Sequence, residues 1–318
     1  MNLVILDGHA LNPGDLSYDC LREFGNLRIY DRTTSEADAI ARIGNAEIIL
    51  LNKTPITQAV LDACPHIRLI CVLATGYNVV DCAAAARRGI PVCNVPGYGT
   101  AAVAQFTIAL LLELCHRIGH HDSRVHAGAW SKCPDFCFWD TPQMELAGKT
   151  MGIFGYGSIG QAVGRIAEAL GMELLVCSRS RKAGLPGTYV DFPTLLSHSD
   201  VLSLHCPLFP ETQGMIGAAA LEQMKDGALL LNTARGQLVD EQAVADALSR
   251  GKLGGYAADV VCQEPIPESS PLLHAPNCIL TPHMAWAPLE SRQRILAATA
   301  NSIRTYLEKG SVPCVNLP

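Results

Sequence analysis

Three side chains able to do acid–base and anion chemistry stand just beyond apolar runs in the second half of the chain. Arg235 lies in Leu231-Asn232-Thr233-Ala234-Arg235-Gly236, Glu264 in Asp259-Val260-Val261-Cys262-Gln263-Glu264-Pro265, and His283 in Thr281-Pro282-His283-Met284. These residue types suit the addition of a hydride to a ketone that neighbours a carboxylate. The carbonyl oxygen then needs a proton, and histidine is the side chain whose ordinary pKa lies nearest neutrality. A glutamate beside it favours the imidazolium and fixes the ring. An arginine grips a carboxylate through its planar fork and polarises the carbonyl. Each residue also has a plainer reading: Arg235 in a structural ion pair, Glu264 at the turn before Pro265, His283 as a loop hydrogen-bonder. Their conjunction with a source of hydride decides between the readings.

That source is indicated by Gly155-Tyr156-Gly157-Ser158-Ile159-Gly160, a G-x-G-x-x-G placed after the apolar run Met151–Phe154 and before a helical pattern, Gln161–Leu170. Gly155 permits the tight turn, Gly157 the close approach of a pyrophosphate, and Gly160 the packing of helix on strand. The helix N-terminus adds unpaired N–H groups and positive dipole. A nicotinamide dinucleotide is therefore expected, with Asp259 a candidate to hold its carboxamide. The next strand, Leu174–Cys177, ends in Ser178-Arg179-Ser180-Arg181. NAD sites usually place an acidic residue there for the ribose 2′-hydroxyl. Guanidinium and hydroxyl groups instead suit a 2′-phosphate, so NADP is the expected cofactor, with NAD possible.

These groups must be carried on a framework, and the pattern of apolar runs supplies one. In the first hundred residues the runs Leu3–Leu6, Leu27–Tyr30, Ile48–Leu51, Leu69–Leu73 and Pro91–Val95 alternate with helical stretches such as Thr34–Ile43, Thr57–Ala63 and Asp81–Arg88. A long helix is expected over Ala101–Ile118. From Lys149 a second series follows, with strands at Thr150–Phe154, Glu173–Cys177, Val201–His205, Ala228–Asn232, Gly255–Val260 and Cys278–Thr281. Continuous apolar strands alternating with helices predict α/β architecture with parallel sheets covered on both faces. Six strands with crossovers predict a doubly wound nucleotide-binding domain. The helical tail, Pro288–Lys309, is expected to return to the first domain and make it discontinuous.

Bulk composition fits this frame. The chain has 318 residues, 49% hydrophobic and 17% charged, with a net charge of −6. That is enough for two domains and offers no basic footprint for nucleic acid. Thirteen scattered cysteines without paired C-x-x-C knuckles read as free thiols in a reducing compartment, and His116, His120, His121 and His126 as a helix surface rather than a metal site. The N-terminus has no signal-peptide pattern, and the apolar stretch Ala101–Leu112 is broken by Gln105 and followed by Glu113. A cytoplasmic protein without membrane or nucleic-acid partners is expected.

The motifs, taken in order, resemble the D-isomer-specific 2-hydroxyacid dehydrogenase family over essentially the whole chain. The resemblance rests on Gly155-x-Gly157-x-x-Gly160, Leu204-His205-Cys206-Pro207-Leu208, Asn232–Gly236, Asp259 to Glu264-Pro265, and Thr281-Pro282-His283. It implies two Rossmann-like domains: a flavodoxin-like substrate-binding domain, residues 1–100 plus 286–318, and a dinucleotide-binding domain, residues 101–285. It implies Arg235, Glu264 and His283 as the catalytic set. Cofactor contacts are implied at Thr107, Gly155, Gly157, Ser158, Ile159, Gly160, Ser178, Arg179 and Ser180. Further ones fall at His205, Cys206, Pro207, Thr212, Thr233, Ala234, Asp259 and His283. Substrate contacts are implied at Ala74, Thr75, Gly76, Arg235 and His283. Domains that close over a small 2-keto or 2-hydroxy acid are implied too, with hinges near Tyr98–Ala102 and Ala285–Pro288. So is a homodimer joined through the nucleotide domain by the arm Arg117–Asp140.

Phe136-Cys137-Phe138-Trp139-Asp140 and Met284-Ala285-Trp286-Ala287 are similar to the glycerate dehydrogenase, or hydroxypyruvate reductase, branch. D-lactate-type reduction competes with that reading. Phosphoglycerate oxidation does so less, because Lys53 is the only obvious lysine near the substrate loop. A nucleotide-sensing protein resembling the family's corepressors is the rival from another class.

Overall fold

Short runs of branched aliphatic residues build both sheets. The computed structural model describes residues 1–181 and 184–317. The chain divides into two units, Met1–Gly99 with Trp286–Pro318, and Thr100–Ala285.

In the first unit the strands are β1 (Asn2–Ile5), β2 (Asn26–Ile29), β3 (Ile48–Leu51), β4 (Leu69–Val72) and β5 (Val92–Cys93). Among them run the short helix α1 (Asp19–Arg22), α2 (Glu36–Ile43), α3 (Gln58–Ala63) and α4 (Cys82–Arg87). The sheet order is β2-β1-β3-β4-β5 with every pairing parallel, the flavodoxin-like arrangement. All four residues of β3 and of β4 are buried, because helices cover both faces and leave no polar side to the strand. Ser35, Thr57 and Asp81 begin α2, α3 and α4 by accepting a first-turn N–H through their side chains.

The C-terminal helix, Leu289–Lys309, packs Ile295, Leu296, Ala300 and Ile303 into the core around Leu3, Ile5 and Leu50. Beyond it the chain runs to the outer edge of β5. There Val315 N–H donates to Val92 O (2.9 Å), Asn316 Oδ1 accepts from Val92 N–H (2.8 Å), and Asn316 Nδ2 donates to Ile90 O (2.9 Å).

The second unit opens with α5 (Thr100–His116) and α6 (Ile118–His126). The single helix expected over Ala101–Ile118 is thus broken: Arg117 takes a left-handed conformation and the two helices meet at a bend of 57°. Then follow β6 (Thr150–Phe154), α7 (Ser158–Ala169), β7 (Glu173–Cys177), β8 (Thr188–Tyr189), α8 (Phe192–His198) and β9 (Val201–Leu204). The rest is α9 (Ala218–Gln223), β10 (Ala228–Asn232), α10 (Glu241–Ser249), β11 (Leu253–Ala258) and β12 (Cys278–Leu280).

Among the described residues the order β12-β11-β10-β9-β6-β7-β8 makes seven parallel strands rather than six. The added one, β8, is only two residues long and follows Gly187, where a Cβ would come within 2.8 Å of Val176. Helices α5 and α7 cover one face and α8, α9 and α10 the other. The order reverses between β6 and β9, so ligands are expected outside the carboxyl ends of those strands. No single helix among the described residues is long and apolar enough to cross a membrane.

Candidate active site

At the end of β6 the chain turns through Gly155, whose φ of +94° is open to glycine and strained for other residues. A Cβ there would also lie 2.7 Å from the backbone of His205 and Cys206. At Gly160 a Cβ would meet the carbonyl of Gly155 at 2.3 Å, so glycine alone lets α7 pack this closely on its strand. Gly157 is different: a Cβ built there meets nothing within 4 Å. The space beside the turn is therefore open, and α7 begins at Ser158 with no side chain capping it. Helices α8 and α10, by contrast, are capped by Asp191 and Asp240. Uncapped N–H groups at Ser158, Ile159 and Gly160 facing open space fit a pyrophosphate.

Beyond β7 come Ser178, Arg179 and Ser180, with no carboxylate among them. The Arg179 guanidinium stacks 4.7 Å from the ring centroid of Phe209, a residue absent from the sequence-based set. The Phe209 loop is knotted by Thr212, whose Oγ1 accepts from Phe209 N–H (2.8 Å) and donates to Pro207 O (3.2 Å). His205 follows β9 and shares a 2.8 Å hydrogen bond with Ser203 Oγ through Nε2. Burial pushes its pKa down to about 4, so the ring is neutral at physiological pH. Burial likewise pushes the Cys206 thiol up to about 11, leaving it unreactive.

Two of the expected cofactor contacts lie below the surface. Thr107 has no exposed area; its hydroxyl donates to Val103 O (2.8 Å) and meets Thr233 Oγ1 at 2.8 Å. It supports Thr233 from beneath rather than facing a ligand. Asp259 is 1% exposed, and both its oxygens are engaged inside the protein. Oδ1 accepts from Thr281 Oγ1 (2.7 Å) and Met284 N–H (2.8 Å), and Oδ2 from Ala285 N–H (2.8 Å).

The three candidate catalytic residues stand beyond three strand ends. Arg235 follows β10 and is exposed; its Nη1 donates to Ala234 O at 2.6 Å. Its turn is built by the buried Asn232, whose Nδ2 donates to Arg235 O (2.8 Å) and whose Oδ1 accepts from Ala234 N–H (3.1 Å). Gly236 lets this loop lie on the next one, since a Cβ would fall 1.9 Å from Val261 C. Gln237 Nε2 adds a bond to Cys262 O at 2.8 Å. The neighbouring loop, after β11, carries Glu264. Its Oε2 lies 2.7 Å from His283 Nδ1, and both side chains are roughly one-third exposed at 37% and 34%. With Nδ1 oriented by the carboxylate, Nε2 is the nitrogen suited to proton transfer. His283 itself has a φ of +53°, a conformation costly for a residue with a Cβ.

In the first unit, Ala74, Thr75 and Gly76 follow β4. The carbonyls that lead into and through this loop are engaged within the first unit. Leu73 O accepts from Asn52 Nδ2 (3.2 Å), Ala74 O from Val95 N–H (3.0 Å), and Thr75 O from Asn94 Nδ2 (2.7 Å). Thr75 Oγ1 donates to Val95 O at 3.0 Å. The N–H groups of Ala74, Thr75 and Gly76 make no hydrogen bond to another described residue. Consecutive backbone amides left without a partner are able to receive an anion.

Comparison with known proteins agrees with this geometry. Residues 108–285 match the model of the D-isomer specific 2-hydroxyacid dehydrogenase NAD-binding domain. A hydroxypyruvate reductase of Blautia hydrogenotrophica is 51% identical, across 99% of this chain and 100% of that one. A glycerate dehydrogenase of Methylorubrum extorquens is 39% identical across 96% of each. An NADPH-dependent glyoxylate/hydroxypyruvate reductase from Sinorhizobium meliloti, solved with NADP and malonate, superposes with a TM-score of 0.83 at 27% identity, covering 98% of this chain and 95% of that one. The chain belongs to the D-isomer specific 2-hydroxyacid dehydrogenase family.

Proposed function

We propose that this NAD(P)-dependent oxidoreductase is a hydroxypyruvate and glyoxylate reductase that prefers NADPH. The observation that carries the chemistry is the 2.7 Å Glu264–His283 pair, set one loop away from Arg235. The substrate class follows from the full-length relative at 51% identity. NADPH, when bound, supplies the hydride. Gly155, Gly157 and the first amides of α7 would hold its pyrophosphate, and Ser178, Arg179 and Ser180 its 2′-phosphate. Arg235 binds the substrate carboxylate and draws electron density toward the carbonyl oxygen. His283 delivers a proton to that oxygen from Nε2, while Glu264 on Nδ1 keeps the ring oriented. Within the first unit, the amides of Ala74, Thr75 and Gly76 are a candidate site for a carboxylate. In the oxidative direction His283 accepts the proton instead.

A cytoplasmic homodimer is part of the same reading. Helix α6 buries none of its residues, and Ile118, Trp130, Phe136 and Trp139 are 61%, 52%, 88% and 67% exposed. So much apolar area on one arm suits a second copy of the chain. The activity is tested by following oxidation of NADPH and NADH with hydroxypyruvate, glyoxylate, pyruvate and 2-ketoisocaproate. Turnover of hydroxypyruvate with NADPH above the other pairs is expected. Faster pyruvate or 2-ketoisocaproate turnover would replace the substrate assignment, and tight NADPH binding without turnover would favour a sensor.

A further inference from the structure

Asp7, at the end of β1, is used by no part of the mechanism above, yet it makes a dense set of hydrogen bonds. Oδ1 accepts from Asn52 N–H (2.7 Å); Oδ2 accepts from Lys53 N–H (2.6 Å), Thr54 N–H (2.7 Å) and Thr54 Oγ1 (2.9 Å). Three consecutive amides at the end of β3 converge on one carboxylate, so this turn is an anion nest filled by the protein's own side chain. The turn it fixes bears Asn52, which is 7% exposed and donates through Nδ2 to Leu73 O at 3.2 Å. Leu73 is the residue before Ala74, and β3 and β4 are adjacent in register, Leu51 opposite Val72.

We infer that Asp7 is a positioning residue for the substrate loop. Its carboxylate seats the backbone of Asn52, and Asn52 binds the Leu73 carbonyl, fixing the peptide that leads into the loop whose amides receive the substrate's carboxylate. The assignment rests on the reading of that loop as the carboxylate site. Its effect falls on ground-state binding of the keto acid, because Asp7 and Asn52 act through the backbone of the loop.

The test is steady-state kinetics on Asp7→Asn and Asn52→Ala, singly and combined, in the full-length protein. Asp7→Asn is nearly isosteric and turns an N–H donor toward one of the amides that Asp7 now accepts. Each single variant is expected to raise the keto-acid KM about threefold to tenfold, the equivalent of one lost hydrogen bond, with kcat within about twofold of wild type and the NADPH Kd unchanged. The double variant should be no worse than the poorer single one, since both break one chain of contacts. A folded variant with wild-type KM, or one that loses kcat at constant KM, overturns the inference. Should Asp7→Asn fail to fold, Asn52→Ala decides alone. Gly76→Pro, which deletes one loop amide, separates the two failures. An unchanged KM there rejects the loop as the carboxylate site, whereas a raised KM with silent Asp7 and Asn52 variants rejects only the positioning role.

Discussion

Asp259 holds the chain on both sides of His283, through a side-chain hydroxyl before it and two backbone amides after it. Its carboxylate binds Thr281 Oγ1 on one side and the amides of Met284 and Ala285 on the other, at 2.7–2.8 Å, while His283 between them sits at a φ of +53°. The strained backbone is held by these bonds, and it aims the imidazole at Glu264. Asp259→Asn must place an N–H where an oxygen now accepts a donor. We expect kcat to fall about tenfold to a hundredfold, as for a buried donor left unsatisfied, while NADPH binding followed by fluorescence holds. If instead cofactor affinity fell and kcat at saturation held, Asp259 would serve the nicotinamide carboxamide and not the histidine.

His283→Ala should lower kcat by about 10²- to 10⁴-fold with little change in cofactor affinity, the usual contribution of a positioned proton donor. Glu264→Gln keeps a group able to hydrogen-bond but removes the charge, and should give a smaller loss in the same parameter. Wild-type turnover in the histidine variant would move the proton donor elsewhere.

For the cofactor, Arg179→Ala should reduce kcat/KM for NADPH about tenfold to a hundredfold and leave NADH almost unaffected, matching the loss of charge-assisted bonds to one phosphate. Phe209→Ala, which removes the ring 4.7 Å from that guanidinium, should act in the same direction by about twofold to fivefold. An equal loss with both cofactors would mean that Arg179 recognises something other than the 2′-phosphate.

His205 gives a prediction about acid stability. Its folded pKa is pushed from 6.5 down to about 4 by burial. Between those values the unfolded chain binds a proton that the folded chain does not, so stability rises with pH across that window. The contribution is full above about pH 6.5 and is lost as pH falls toward 4, on the order of 3 kcal/mol in all. Urea titrations at several pH values in that range should show a flatter dependence for His205→Gln than for wild type. Parallel slopes would show that the imidazole is solvated in the folded protein.

Much of this architecture could be read from residue order because parallel strands buried on both faces leave a plain signature. Ile48-Ile49-Leu50-Leu51 and Leu69-Ile70-Cys71-Val72 have no polar position to disguise them. The glycine loop was legible for a similar reason, since Gly155 and Gly160 stand where a Cβ would collide with backbone. Strand β8 escaped because two residues carry no periodicity. The break at Arg117 escaped because its left-handed turn depends on contacts distant in sequence, among them Arg117 Nη2 to Asn277 Oδ1 at 2.9 Å. Burial was the harder part of the site: nothing in the sequence separates Thr233, which is partly exposed, from Thr107, which is sealed beneath it. Phe209 lay in a Pro-rich loop where an aromatic residue has no local meaning until Arg179 is brought against it.

The bonds from Val315 and Asn316 to Val92 and Ile90 have a consequence for how the chain is made. The edge of β5 is one that natural sheets protect, since an uncovered row of backbone groups invites pairing with other chains. Here its cover lies 224 residues downstream of Val92, past the whole of the second unit. During synthesis, β1 to β5 leave the ribosome long before the segment that shields them, and the second unit emerges complete in between. The nascent first unit therefore passes through a period of exposed edge whose length is set by the translation of its neighbour.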